Sequence, residues 1–388
     1  MENYIHNIPT KIYFGKGQIS HLPEVLEPFG KKVLLTYGGG SIKKIGLYDT
    51  VMTLLNENGF TVTECDGIEP NPRIQSVEKG AKLCRENDID VVLAVGGGSV
   101  IDCSKAICVG ACYDGDLWEM VKTARPGRKA LPLVDVLTLS ATGSEYDGGG
   151  VISNLATNEK IGAAFCFPAV SICDPTYTFS VSRYQTAAGS FDIMSHIMEG
   201  YFSRTDDSDL SDFYAEAVLK TVIKNLPVAL AEPDNYSARA NLMAASTIGC
   251  SKIPEYGKLY TGWPCHALEH ELSGFYDITH GTGLAILTPR WMRYVLAKDP
   301  TVTARFAKFA RNVWGLQGED DAALALQGIE ALEAFIATLD LPSTLTEVGI
   351  DETHFEEMAV HADLGGRLSK SYSPLMKEDA VAILKNCL

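Results

Sequence analysis

Apolar and polar positions fall in short alternating blocks along the first half of the chain. Lys32-Val33-Leu34-Leu35-Thr36-Tyr37 is an apolar, β-branched run that stops at three glycines. Helical spacing follows over 48–58, Thr61-Val62-Thr63-Glu64-Cys65 predicts another strand, and helical spacing returns over 76–87. Val91-Val92-Leu93-Ala94-Val95 is apolar throughout and again ends at glycines, and 131–139 gives a further strand. Strand, Gly-rich turn, helix and strand in succession predict a doubly wound, Rossmann-like α/β domain with a parallel sheet.

The pattern changes near Asp174-Pro175. Glycines thin out beyond Arg183, and long helical stretches cover 208–225, 238–248 and 322–340, with Pro227, Pro233, Pro264 and Pro289 expected to punctuate them. The expected organisation is an α/β dinucleotide-binding domain over 1–180 followed by an all-helical, metal-binding domain over 181–388.

Composition narrows the function classes. Hydrophobic residues make up 46% of the 388 positions and charged residues 21%, enough apolar matter for a sizeable core. The net charge of −16 disfavours a nucleic acid or an anionic membrane as partner. No signal peptide and no apolar run of membrane-spanning length is legible. The ten cysteines contain no C-x-x-C pair and sit mostly in apolar stretches. They read as buried small hydrophobes in a reducing cytoplasm.

Two glycine loops carry the first candidate chemistry. Gly38-Gly39-Gly40-Ser41 and Gly96-Gly97-Gly98-Ser99 each close a predicted strand and open a predicted helix. Glycine admits a phosphate close to the backbone, and the amides opening the helix face it. A parallel sheet puts both loops on one edge, as a dinucleotide requires. Neither loop is G-x-G-x-x-G or a P-loop. A third stretch, 138–145 (Thr-Leu-Ser-Ala-Thr-Gly-Ser-Glu), follows a strand and offers hydroxyls. An acidic residue after the first strand would repel a 2′-phosphate; Gly39 and Ser41 stand there, with Lys43 and Lys44 behind, which favours NADP over NAD.

The second half holds the metal chemistry. Asp192 and His196 lie four residues apart, as do His266 and His270, and His280-Gly281 follows. On helices such pairs share a face. Four of the eight histidines thus gather between 196 and 280; His6, His21, His354 and His361 read as ordinary surface or core residues. A carboxylate with imidazoles suits Fe²⁺, Zn²⁺ or Mn²⁺. Glu199 and Glu269 read as ordinary helix positions that could also back the imidazoles. A divalent metal with open positions polarises a carbonyl, which beside a nicotinamide is the chemistry of hydride transfer.

Together these residues resemble the iron-activated (group III) alcohol dehydrogenase family, in particular its branch of NADPH-dependent butanol dehydrogenases and broad-range aldehyde reductases. The resemblance runs from Phe14-Gly15-Lys16-Gly17 to the C-terminal helices. It rests on Tyr37-Gly38-Gly39-Gly40-Ser41, Ile68-Glu69-Pro70-Asn71-Pro72, Gly96-Gly97-Gly98-Ser99-Val100-Ile101-Asp102, Ala141-Thr142-Gly143-Ser144-Glu145 and the D-x-x-x-H, H-x-x-x-H and H-G elements. It implies ligation of one Fe²⁺ or Zn²⁺ by Asp192, His196, His266 and His280, with His270 left as a proton-relay group. It implies Gly38, Gly39, Ser41 and Asn71 around the adenosine 2′-phosphate of NADP(H), and Gly97, Gly98 and Ser99 at the pyrophosphate. Thr138, Thr142, Asp147 and Lys160 would line the ribose and nicotinamide end, with Asp102 near the nicotinamide amide. It further implies a small alcohol or aldehyde such as butanal as substrate, and a homodimer formed through a strand near Tyr13-Phe14. Asp147 stands where asparagine is common, and Glu269 where glycine is common.

Rival readings share the fold. A dehydroquinate synthase-like or glycerol dehydrogenase-like NAD enzyme is one. For the synthase, Arg183, Lys252, Lys258, Arg290 and Arg293 would have to supply a basic pocket. A non-catalytic metal- or nucleotide-binding protein is the other.

Overall fold

The computed structural model describes residues 1–388. Six strands form one parallel sheet: β1 (Lys11–Phe14), β2 (Lys32–Tyr37), β3 (Thr61–Cys65), β4 (Val91–Gly96), β5 (Leu133–Leu137) and β8 (Val170–Cys173), in the order β1-β8-β5-β4-β2-β3. β6 (Gly149–Asn154) and β7 (Glu159–Ala164) form a separate antiparallel hairpin. The central strands are apolar because both faces are covered. Along β4, Val92 and Ala94 join one buried cluster, while Val91, Leu93 and Val95 join the other. The same two-residue alternation separates Leu34 from Val33 and Leu35 on β2. Val33 pairs with Val91 and Val92 with Leu133, which aligns the carboxyl ends of β2, β4 and β5.

Strand order reverses between β2 and β4, since β3 lies beyond β2 while β5 lies beyond β4. The carboxyl ends of strands at such a reversal are where doubly wound sheets bind ligands. The two glycine loops leave from these two strands.

Contact between residues divides the chain into two compact units: 6–181 with 233–248, and 1–5 with 182–232 and 249–388. The expected division at residue 180 makes no provision for the return of 233–248. The helix Tyr236–Thr247 belongs to the α/β unit because its polar end ties down the loop after β5. Ser246 Oγ accepts from the Ala141 N–H at 3.0 Å, and Thr247 Oγ1 donates to Glu145 Oε1 at 2.6 Å.

The other unit has no strand and is built from long helices, among them Arg183–Tyr201, Asp209–Ala231, Pro264–Tyr276, His280–Lys298, Thr303–Trp314 and Asp321–Ala337. Ser182 caps the first by accepting from the Gln185 N–H, and Asp320 caps the last. Pro264 opens its helix, but Pro227 and Pro289 lie inside theirs rather than between helices. A proline inside a helix loses one backbone hydrogen bond. Buried neighbours on both sides (Leu226 and Ala229, Thr288 and Trp291) hold each helix through it. A buried charge cluster also braces this unit. Asp212 takes a bidentate pair from Arg305 (2.6 Å for each contact) and further contacts from Lys258 (2.8 Å) and Lys308 (2.6 Å).

Candidate metal centre and nucleotide loops

Three helices bring the metal-ligand candidates together. Asp192 and His196 lie one turn apart on Arg183–Tyr201, His266 lies in the first turn of Pro264–Tyr276, and His280 opens His280–Lys298. Close packing makes this possible at Gly281, where a Cβ would sit 2.0 Å from the Ala188 carbonyl oxygen. The first and last of these helices therefore approach at backbone contact, beside His280.

One ligand atom from each of Asp192, His196, His266 and His280 lies within 4.8 Å of every other. The three imidazole Nε2 atoms converge on one oxygen, Asp192 Oδ1, at 3.4 Å (His196), 3.7 Å (His280) and 3.9 Å (His266). Bonds of about 2.1 Å to a tetrahedral cation would place neighbouring ligands about 3.4 Å apart.

The opposite ring nitrogens explain the convergence. His266 Nδ1 faces Glu199 Oε2 at 3.2 Å, and His280 Nδ1 hydrogen-bonds Glu269 Oε2. In the tautomer that places the proton on Nδ1, facing these carboxyl groups, each ring turns its Nε2 lone pair toward Asp192. His266 Nε2 is buried without a hydrogen bond, and burial pushes the His266 pKa well below the ordinary histidine range. Lone pairs facing a carboxylate oxygen across 3.7–3.9 Å repel unless a cation lies between them. The donor set fits a divalent metal.

Glu199 and Glu269, read from sequence as ordinary helix positions, are therefore the carboxylates behind two of the imidazoles. Burial raises Glu199 to about 7, against the Cys265 N–H at 2.6 Å and the charge of Arg367. Cys265 is buried and contributes that backbone N–H, not a ligand. Trp263 packs edge-on against His196 and His266, with ring centroids 5.1 and 4.8 Å apart. It holds φ of 55° immediately before Pro264, a conformation costly for a bulky residue. His270 is buried, its ring 5.7 Å from that of His280.

In the α/β unit, β4 ends at Gly96 and a buried helix, Gly98–Gly110, begins two residues on. A Cβ on Gly98 would sit 2.7 Å from Thr142 Oγ1, so this loop packs directly on the loop after β5. The Thr138 N–H donates to the Gly96 carbonyl at 3.0 Å, joining the same two loops. Gly38 lies against the Ile68 carbonyl, 3.0 Å from where its Cβ would stand. This brings the Ile68–Asn71 stretch beside the first glycine loop, with Asn71 in the left-handed region at φ 50°. Gly39 faces open space, and Ser41 opens a short helix, Ser41–Lys44, while Ser99 lies in the first turn of Gly98–Gly110.

Asp102 and Asp147 are both engaged. Asp102 accepts from Ser144 Oγ (2.5 Å) and from the Val151 N–H (2.8 Å), and burial raises it to about 6 although Lys105 opposes the rise. Asp147 Oδ1 accepts from Lys105 Nζ at 2.7 Å and from the Gly149 N–H at 2.9 Å. Lys105, fully buried, is a functional-region residue that sequence reading missed; its signal is a second charge, three residues after Asp102, in a mostly apolar helix. It also gives Asp147 a counter-charge. Lys160 lies on β7 opposite Ser153 and is buried.

The basic set required by the synthase reading is already committed elsewhere. Arg183 pairs with Asp340, Lys252 with Glu255, Lys258 with Asp212 and Arg293 with Glu333, while Arg290 donates to the Ser343 carbonyl.

Family models match both halves of this arrangement: iron-containing alcohol dehydrogenase over residues 9–175, and the C-terminal region of the Fe-containing alcohol dehydrogenase family over 186–388. The chain belongs to the iron-containing alcohol dehydrogenase family. It is 47% identical over 390 residues to NADH-dependent butanol dehydrogenase A of Clostridium acetobutylicum, covering 99% of each chain. It is 38% identical over 358 residues to the NADPH-dependent aldehyde reductase YqhD of Escherichia coli, covering 90% of each. Among solved structures, an NADH-dependent butanol dehydrogenase A from Thermotoga maritima matches with a TM-score of 0.94 at 39% identity, covering 100% of this chain and 99% of that one. Family and fold thus make this chain an alcohol dehydrogenase that uses a nicotinamide cofactor.

Proposed function

We propose that this alcohol dehydrogenase is a metal-dependent, NADPH-linked reductase of small aldehydes, butanal among them. The carrying observation is the convergence of three imidazole Nε2 atoms on Asp192 Oδ1, with carboxylates behind two of the rings. Asp192, His196, His266 and His280 would hold one divalent metal, Fe²⁺ or Zn²⁺. When bound, the metal polarises the carbonyl oxygen and the reduced nicotinamide supplies the hydride.

The chain's residues meet the remaining demands. Gly97, Gly98 and Ser99 present helix-opening amides to a pyrophosphate. Gly38, Gly39, Ser41 and Asn71 surround the adenosine end. Thr138, Thr142, Asp147 and Lys160 line the ribose and nicotinamide end, with Asp102 by the nicotinamide amide. His270 holds the proton that the product oxygen needs. Trp263 packs edge-on against His196 and His266 and would limit their rotation.

The preference for NADPH rests on Gly39, which leaves open space where a carboxylate would repel a 2′-phosphate. A second reading, NADH, is supported by the relatives, since the butanol dehydrogenases A of C. acetobutylicum and T. maritima are NADH-dependent. A homodimer through β1 is supported by the edge position of that strand and by exposed Phe14. A cytoplasmic location is supported by ten cysteines that form no disulfide.

The test is an anaerobic assay with butanal, NADPH and NADH side by side, before and after chelation and with Fe²⁺ or Zn²⁺ restored. Metal-dependent oxidation of NADPH, much faster than of NADH, is the expected result. Faster NADH oxidation would replace the cofactor assignment, and no turnover with any metal would overturn the reductase itself.

A further inference from the structure

Glu269 occupies a place that the ligand count does not explain. It lies three residues after His266 on Pro264–Tyr276, next to His270, with no solvent exposure. Its Oε2 takes His280 Nδ1 and its Oε1 takes the Ser273 hydroxyl, so both oxygens are held in place. Room is made for it on the facing helix. A Cβ on Gly283 would stand 2.8 Å from Glu269 Cγ, so any side chain at 283 would collide with it.

An ionised carboxylate at zero exposure is costly unless it is paired. Three buried carboxyl groups, Asp192, Glu199 and Glu269, stand around the imidazoles. Glu269 would meet the charge of a dication held there through its hydrogen bond to His280 Nδ1. Resting on the metal-centre reading above, we infer that Glu269 is a positioning residue for the metal. It fixes the His280 tautomer, makes the ring a stronger donor, and supplies buried charge that holds the dication in the site.

Glu269 also belongs to a second close group, with His270 and His280, whose ligand atoms lie within 4.8 Å of one another. His280 Nδ1 is already turned to Glu269 by a hydrogen bond, which favours the positioning role over direct ligation.

The experiment titrates chelator-stripped full-length wild type, Glu269→Gln and Glu269→Gly with Co²⁺ under argon. It reads the Co²⁺ visible absorption, the stoichiometry and the Kd by competition with a chromogenic chelator. Wild type should bind one equivalent. Glu269→Gln, which can accept from His280 Nδ1 without charge, should weaken binding about 10-fold with nearly unchanged band positions. Glu269→Gly should weaken it about 100-fold and shift the bands, as loss of a group behind a ligand does. Wild-type Kd and spectrum in both variants would overturn the inference. Two equivalents in wild type falling to one in Glu269→Gln would overturn it in favour of direct ligation by Glu269. Absence of Co²⁺ binding by wild type would fail the metal-centre reading instead. If Glu269→Gly does not accumulate as folded protein, Glu269→Gln alone decides.

Discussion

The two units solve the problem of a binding site in opposite ways. The α/β unit builds its nucleotide loops from backbone: glycines at the ends of β2 and β4, packed so closely that a Cβ on Gly98 would meet Thr142. The helical unit builds its site from side chains: three imidazoles and a carboxylate from three helices, two of the rings backed by further carboxylates. A backbone site needs closeness and tolerates little bulk, whereas a side-chain site needs tautomers and charges set correctly. The two should therefore fail differently when mutated.

The sharpest break falls on the helical side. His266→Ala should lower kcat/KM for butanal by about 1,000-fold or more, given the several kcal/mol a Lewis-acid centre supplies. Metal content by elemental analysis should fall with it, while NADPH binding by fluorescence stays near wild type. Retained metal and activity would break the assignment of His266.

Asp212→Asn tests whether charge alone makes a site. Asp212 sits among Arg305, Lys258 and Lys308, none of them a ligand candidate. Burial would raise its pKa, but the three cations hold it down to about 2. Removing one partner of a buried charge cluster should cost about 3–5 kcal/mol in denaturant unfolding, with metal stoichiometry intact in the folded fraction. Because the folded pKa is depressed, the wild-type contribution is fully present above the ordinary aspartate range near pH 4. It drains away as pH falls toward 2, so the gap between wild type and variant should persist from pH 7 to about pH 4 and narrow below.

Gly281→Ala joins the two modes of construction, since a backbone contact there serves the side-chain cluster. The added Cβ would meet the Ala188 carbonyl at 2.0 Å. Overpacking of about 1–3 kcal/mol is expected in thermal unfolding, together with weaker metal retention because His280 is displaced. Unchanged metal affinity would show that the cluster does not depend on this approach.

The smallest effect is expected at the open loop. Gly39→Asp has room for its side chain and should leave the melting temperature near wild type. It should lower kcat/KM for NADPH by about 10-fold through charge repulsion at the 2′-phosphate, with NADH little changed. Equal losses for both cofactors would remove Gly39 from the choice between them.

Sequence alone reached the parallel sheet, the helical second half and the four ligand candidates, because each is written in local signals. Apolar runs ending at glycines mark β2 and β4, and i, i+4 spacing puts Asp192 with His196 on one helix face. β8 and the β6–β7 hairpin did not emerge, being short, or rich in glycine and polar residues, and β1 came only from the family resemblance, which implied a strand near Tyr13-Phe14. Only the tertiary structure decided where the helix Tyr236–Thr247 belongs, since its allegiance rests on Ser246 and Thr247 reaching residues about a hundred positions earlier. The same holds for Glu199 and Glu269. Helical spacing cannot tell a carboxylate facing solvent from one aimed at a ring on another helix, and that distinction exists only once the helices pack. Residue type and local period thus determined which elements form and which chemistry is available, while long-range packing decided which groups meet and which proton each imidazole carries.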